Sequence, residues 1–378
     1  MQQTVLRGIA WDHTRGFVPM VATAQRFHEL HPEIEIRWEK RSLQAFADAP
    51  IEVLAQSYDL LVIDHPFVGY AATHPVLVPL EAHLDAAYLT DQARGSVGRS
   101  YESYWAGDHL WALPIDAATP VSSWRPDLLA TPPQTWAELL ALADRGLVAV
   151  PAIPIDSLMN FYMLCNALGV EPFQGTTAVV SHDIGAQALM HLADLVGRCD
   201  PACLTRNPIA TYEALVRGEA AYCPFAYGYS NYARPEYATH ALRYGGLVTW
   251  HDGRPLQSTL GGTGLAISQH SAHRDIAVAY ARYVCSPACQ RTLYVQSGGQ
   301  PGHRDAWESA EVNRVCGDFF RNTLPTLDQA YLRPRYNGYL HFQDSAGPVV
   351  HEFLRHGGDP VSYLQRIDEL YRQSQLAH

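Results

Sequence analysis

The residues of this 378-residue sequence that could do chemistry stand at the ends of apolar runs, not inside any compact signature. Trp11 and His13 close one run, Asp64 and His65 another, and Asp116 a third. Arg41 follows a fourth, while Tyr227 and Tyr229 follow the run that carries Cys223. Gly261, Gly262, Thr263 and Gly264 open a later one. Aromatic faces stack on sugar or heterocycle rings, and carboxylates accept hydrogen bonds from hydroxyl or amine groups. Glycines without a Cβ let the backbone approach a ligand closely. Such a set can hold a small polar molecule. The same side chains also suit catalysis, with His13, Asp64 and His65 as acid and base and Cys223 as nucleophile. Each has a structural alternative. Trp11 can be core, Asp12 a helix cap, either histidine a satisfied structural group, Asp64 to Pro66 a turn, and the two tyrosines packing.

Several chemistries are excluded by spacing. The glycines at 261–264 precede a strand and not a helix N-terminus, so they make neither a phosphate loop nor a dinucleotide fingerprint. No nucleophile elbow is present. The seven cysteines include Cys199/Cys203 and Cys285/Cys289, four residues apart and not in CxxC pairs. A zinc site asks for tighter pairs or an adjacent HxxxH, so these read as buried hydrophobes, and neither metal nor cofactor is expected.

The elements that must position these residues alternate between strand and helix. Val5 to Trp11 reads as a strand, and Pro19 to His31 as a helix with Val21, Ala24, Phe27, His28 and Leu30 on one face. Ile34 to Trp38 alternates as a half-exposed strand, Leu43 to Gln56 reads as a second helix, and Tyr58 to Asp64 is a near-continuous apolar run covered on both faces. A βαβαβ opening predicts a parallel sheet with right-handed crossovers. Ligands of such sheets sit beyond the carboxyl ends of the strands. Here those ends are Trp11-Asp12-His13, Lys40-Arg41-Ser42 and Asp64-His65-Pro66. Further on, Thr135 and Glu138 form a capping box. Tyr212 to Cys223 then reads helix, glycine stop, strand, and a strand over 261–268 precedes a helix from about Arg274 to Cys285.

Composition narrows the classes further. Hydrophobic residues make up 47% and charged residues 17%, so the chain is foldable and long enough for two cores. The formal net charge of -11, with one lysine, Lys40, leaves no basic cluster for phosphate neutralisation, so nucleic acid is not an expected partner. No apolar run approaches the roughly 20 residues that span a bilayer, so membrane insertion is not expected either. The first residues, Met1-Gln2-Gln3-Thr4, show no basic and apolar leader pattern. The odd number of cysteines leaves at least one without an intramolecular partner, and many free thiols suit a reducing compartment better than an oxidising one.

The order of segments resembles the bacterial extracellular solute-binding proteins of ABC importers, in the group that includes the carbohydrate binders. The segments are Leu113 to Asp116, Trp124 to Leu129, Pro133 to Leu139, the Gly218-Glu219-Ala220-Ala221 stop before the tyrosines, the glycine-rich return strand, Ala277 to Gln290, and Gly298 to Pro301. The resemblance covers nearly the whole chain. It implies a periplasmic-binding-protein-like α/β fold, with two α/β lobes joined by hinge strands and a ligand cleft between them. The first lobe is expected from 1–115 plus 261–310, and the second from 116–260 plus 311–378. The implied function is capture of a small polar ligand, sugar-like or similar, by cleft closure for ABC-type import. The ligand-binding set expected from strand ends and resemblance is Trp11, His13, Arg41, Asp64, His65, Asp116, Tyr227, Tyr229, Gly262 and Thr263. Arg15 and Arg41 are the cations near it, which favours a neutral, hydroxyl-rich ligand over a dianion. The expected partners are a small-molecule ligand and, if the protein is exported, an ABC permease, with the chain itself a monomer. The resemblance implies the periplasm, with a signal segment trimmed from the N-terminus, while the lack of a leader pattern and the cysteines equally suit the cytoplasm. An alternative stays open: a cytoplasmic enzyme acting on a small molecule on the same scaffold, since thiaminase-like and pyrimidine-synthase-like enzymes share this architecture.

Overall fold

Of the ten strands among the described residues, eight make up the two larger sheets: β1 (Thr4–Trp11), β2 (Ile34–Arg41), β3 (Leu60–Ile63), β4 (Leu113–Ala118), β5 (Pro120–Trp124), β6 (Tyr222–Tyr227), β7 (Arg243–Gly245) and β8 (Gly261–Ile267). They belong to a computed structural model that describes residues 3–42 and 50–376. The chain divides into two units. Unit 1 is Met1–Ala118, Tyr229–Asn231 and Leu260–Cys316, and unit 2 is Thr119–Gly228, Tyr232–Thr259 and Gly317–His378.

Unit 1 is built on a five-stranded sheet in the order β2-β1-β3-β8-β4. β1 pairs in parallel with β2 along its full length, from Thr4 opposite Ile34 to Trp11 opposite Arg41, and in parallel with β3 on its other edge. β8 runs antiparallel to both β3 and β4. β3 is buried at all four positions, as its unbroken apolar run requires of a strand covered on both faces. The helix expected from Pro19 begins earlier, at Thr14, and runs to Leu30 as α1. Its buried stripe, Arg15, Pro19, Thr23 and Phe27, repeats every four residues, so Pro19 sits inside the helix and does not open it. Gly16 on the same helix leaves room for the Trp11 indole, which a Cβ there would meet at 2.3 Å. The next described helix, α2, covers Ile51–Ser57. Residues 43–49 of the expected second helix lie outside the described residues.

Unit 2 carries the three-stranded sheet β6-β5-β7, antiparallel at both pairings. The capping box opens helix α3 (Trp136–Ala143): Thr135 accepts from the Glu138 N–H and the Glu138 carboxylate reaches back to the Thr135 N–H. Helix α4 (Pro154–Ala167) is buried over ten consecutive residues, Asp156 to Cys165. Such an all-round interior helix is covered on every face. Helix α5 (His182–Gly197) follows, and α6 (Pro208–Arg217) ends at Gly218 in the left-handed conformation, φ 79°, where the sequence places its glycine stop. Two further long helices, α7 (Tyr339–His356) and α8 (Pro360–Leu376), close the unit. Phe173, Tyr339, Phe342 and Tyr371 pack edge-to-face or tilted between them, with centroids 5.2 to 6.1 Å apart.

Candidate functional site

Five of the expected residues converge on one arginine in unit 1. β1 ends at Trp11 and the chain turns through Asp12 into α1. The cap expected of Asp12 falls to His13, whose Nδ1 accepts from the Arg15 N–H at 2.9 Å, while exposed Asp12 pairs instead with Lys40 at 2.8 Å. The first turn of α1 therefore holds Arg15 inward. Its Nε donates to Asp116 Oδ2 at 2.8 Å and its terminal nitrogen to Asp116 Oδ1, a two-point pairing with both side chains buried. Burial opposes the charge on Arg15, but the carboxylate of Asp116 more than offsets it and raises the guanidinium above its ordinary value.

β4 presents Asp116 and β8 answers it. Thr263 lies opposite Asp116 and Gly262 opposite Ala117, with a bulge after Thr263. Gly262 has φ 107°, and a Cβ there would stand 2.3 Å from the Asp116 carbonyl oxygen, so the close approach of the two strands depends on glycine. Tyr229, Ser230 and Asn231 return to the same place. The Ser230 N–H donates to Gln300 Oε1 at 3.0 Å, Asn231 Nδ2 to the Gly298 carbonyl at 3.2 Å, and Gln300 Nε2 to the Ala117 carbonyl at 2.8 Å. These bonds set the Tyr229 ring 4.6 Å from the Arg15 guanidinium and 4.7 Å, edge-on, from the His13 imidazole. Tyr294 is fully buried and within electrostatic reach of both Arg15 and Asp116.

Electrostatically this cluster is neutral. Burial first, and then the Arg15 charge, push the His13 imidazole down to about 4, so it is uncharged at neutral pH. A base so weak is poorly matched to proton abstraction near pH 7. What remains is an aromatic face, a neutral imidazole, and hydroxyl and amide groups around an internally compensated ion pair. That set can hold a polar, uncharged molecule.

The other expected residues stand elsewhere. Trp11 is 3% exposed with its indole against Gly16. Asp64 caps a short turn of helix by accepting the His65 N–H at 2.8 Å, and the buried His65 Nδ1 lies 3.1 Å from the same oxygen. Arg41 ends β2, half-buried, and burial holds its guanidinium down at about 10. Tyr227 belongs to unit 2, where its hydroxyl shares a 2.9 Å hydrogen bond with Thr259 Oγ1. Cys223 is fully buried, and burial pushes its thiol up, away from the thiolate a nucleophile needs.

Two features escaped the sequence reading. The Arg15–Asp116 pairing joins residues 101 apart, yet an arginine on the i, i+4 stripe of α1 was a signal, because a buried cation demands a counter-charge. Asp156 in the first turn of α4 carried none. It is 5% exposed, its Oδ2 has no hydrogen-bond partner among the described residues, and burial pushes its carboxyl up to about 8.

This architecture has known relatives in three dimensions. Maltose-bound MalE3 of T. maritima superposes with a TM-score of 0.83 at 18% identity, covering 98% of this chain and 99% of that one. An ABC transporter solute-binding protein from Agrobacterium radiobacter K84, in complex with ribitol, gives 0.84 at 18% identity over 98% and 99%. The GacH receptor of Streptomyces glaucescens, solved unliganded and with acarbose, gives 0.81 at 17% over the whole of both chains. At such identities the likeness establishes the maltose-binding-protein-like, two-lobed α/β fold. No curated protein sequence matches the chain. The model of the bacterial extracellular solute-binding proteins matches residues 22–315, and the chain belongs to that family.

Proposed function

We propose that this protein captures a small, uncharged, hydroxyl-rich solute, a sugar or polyol, outside the cytoplasmic membrane and hands it to an ABC permease. Closure around the ligand is part of the proposal, since it lets contacts form that the open state lacks. The observation that supports the ligand class is the charge compensation around Arg15. The guanidinium is engaged by Asp116, stacked on Tyr229 and flanked by a neutral His13, which leaves aromatic and hydroxyl chemistry to do the recognition. Maltose, ribitol and acarbose are held by the structural neighbours, and all carry many hydroxyls.

Thermal shift with maltose, ribitol, glutamate and inorganic phosphate tests this. A ligand at 100 times its Kd stabilises the native state by about 2.7 kcal/mol through mass action. The expected result is a rise in Tm with at least one of the neutral compounds and none with the anions. A response to glutamate or phosphate alone would overturn the assignment.

A further inference from the structure

Unit 2 holds a concave site that shares no residue with the Arg15 cluster. It is a cavity of about 480 Å³ whose wall includes Asn166, Trp250, Asp252, Arg254, Gln257 and Gln329. Small-molecule sites usually enclose about 300–1,000 Å³.

Local structure fixes each part of this wall. Asn166 is the last residue but one of α4, about 15 Å along the helix from Asp156. Residues 248–256 form a small hairpin in which the Trp250 N–H donates to the Arg254 carbonyl at 2.7 Å and the Leu256 N–H to the Val248 carbonyl at 3.0 Å. Its tip turns at Gly253, with φ 83°. The Thr249 N–H donates to the Gln134 carbonyl at 2.8 Å, and the Trp136 N–H to the Thr249 carbonyl at 2.9 Å, so the hairpin is tied to the start of α3. Gln257 continues the chain from the hairpin, and its Nε2 donates to the Gln329 carbonyl at 3.0 Å. Trp250 is 7% exposed, and Trp136, His191 and His251 meet its ring edge-to-face at centroid distances of 4.9, 5.0 and 4.6 Å. The indole is therefore a fixed wall and not a loose surface side chain.

The chemistry of the wall selects its occupant. Asp252 and Arg254 are the only charged residues lining it, and Arg254 Nε donates to Asp252 Oδ2 at 2.7 Å, so their charges cancel. An ionic ligand finds no spare counter-charge. The remaining polar side chains are the amides of Asn166, Gln257 and Gln329, each with donor hydrogens and an acceptor oxygen. Asn166 Nδ2 is buried with no hydrogen-bond partner among the described residues, and leaving such a donor unmatched is unfavourable. An occupant that supplies an oxygen relieves that cost once the amide turns towards it. Hydroxyl groups accept and donate, as the amides do, and the carbon skeleton that carries them packs against an indole.

We propose that this cavity is an accessory binding site for a neutral, polyhydroxylated molecule of mono- or disaccharide size. It does not rest on the Arg15 cluster taking the same ligand.

Hydrogen–deuterium exchange read by mass spectrometry locates the occupant. The full-length protein is titrated separately with ribitol, maltose and inorganic phosphate, as wild type and as Tyr229→Leu, which disables the Arg15 cluster. The expected result is that ribitol or maltose slows exchange across 160–170 and 247–258 in both proteins, and that phosphate does not. Asn166→Leu removes an amide whose Nδ2 bonds no neighbour among the described residues. It is expected to raise the concentration for half protection about tenfold, as the loss of one ligand hydrogen bond would. Gln257→Met tests a second segment of the wall with the same expectation. The proposal fails if neither ribitol nor maltose slows exchange in those segments, if the protection disappears in Tyr229→Leu, if phosphate alone protects, or if Asn166→Leu and Gln257→Met both keep the wild-type midpoint.

Discussion

Each unit buries an aspartate, and the two are treated oppositely. In unit 1, Asp116 receives two hydrogen bonds from Arg15 and sits in a pair backed by Tyr229. In unit 2, Asp156 is also buried, with no hydrogen-bond partner for its Oδ2 among the described residues and a carboxyl pushed up to about 8. A buried charge must be compensated or discharged. Unit 1 takes the first course and unit 2 the second, so at neutral pH Asp116 is an acceptor committed to Arg15, whereas Asp156 is largely a neutral acid.

The largest effect should come from breaking the compensated pair. Arg15→Met leaves Asp116 buried without its counter-charge, where burial pushes its carboxyl further up, and removing one partner of a buried ion pair costs about 3–5 kcal/mol. Urea denaturation should show a loss of that order, with most of it regained in the double variant Arg15→Met/Asp116→Leu. Additive losses in the double variant would mean that the pair is not the unit of stability described.

The uncompensated carboxyl should announce itself through pH. A folded-state value near 8, against an ordinary 3.8, means that the native state binds the proton more tightly than the unfolded chain. The stabilisation is fully present below about pH 4 and is lost as pH rises towards 8. His13, held down at about 4, acts oppositely: its contribution is present above its ordinary 6.5 and lost as pH falls towards 4. Above pH 6.5 that opposing slope is absent. Between pH 6.5 and 8, wild type should lose about 2 kcal/mol relative to Asp156→Asn, at about 1.4 kcal/mol per proton per pH unit. Parallel stability curves for the two proteins would show that Asp156 is ionised throughout.

The cap of α1 ranks next. His13→Ala removes the acceptor for the Arg15 N–H and should cost about 1 kcal/mol, while His13→Asn, which can accept the same bond, should recover most of it. Equal losses in chemical denaturation would place the role of His13 in its ring contact with Tyr229 instead.

These contrasts show where the sequence was readable. β3 was legible because four consecutive apolar residues admit one environment. The α3 capping box and the Gly218 stop were legible because their chemistry is local. The start of α1 was misread because histidine is not among the usual cap residues and a proline suggests a first turn. The site was visible only as strand ends. Which of those ends meet depends on β8 returning antiparallel between β3 and β4, and on Tyr229–Asn231 crossing back into unit 1. Neither has a signature shorter than a hundred residues. Asp156 was invisible because its property is the absence of a neighbour.

The smallest expected effect separates two tyrosines that the sequence treats as a pair. Tyr227 and Tyr229 are two residues apart but fall in different units with different duties. The Tyr229 ring lies against a guanidinium and an imidazole, so Tyr229→Leu removes an aromatic face from the Arg15 cluster and should abolish the thermal shift given by the neutral ligand. The Tyr227 hydroxyl bonds Thr259 Oγ1, and Thr259 in turn accepts from Thr119 Oγ1 through its carbonyl at 2.9 Å, which ties the ends of β5 and β6 to the segment that precedes β8. Tyr227→Phe keeps the ring and deletes one hydrogen bond, worth about 0.5–1.5 kcal/mol net. It should lower the Tm slightly and leave the ligand-induced shift intact. If Tyr227→Phe instead erased the ligand shift while Tyr229→Leu preserved it, the recognition surface would lie in unit 2, and the charge-compensated cluster around Arg15 would be scaffold.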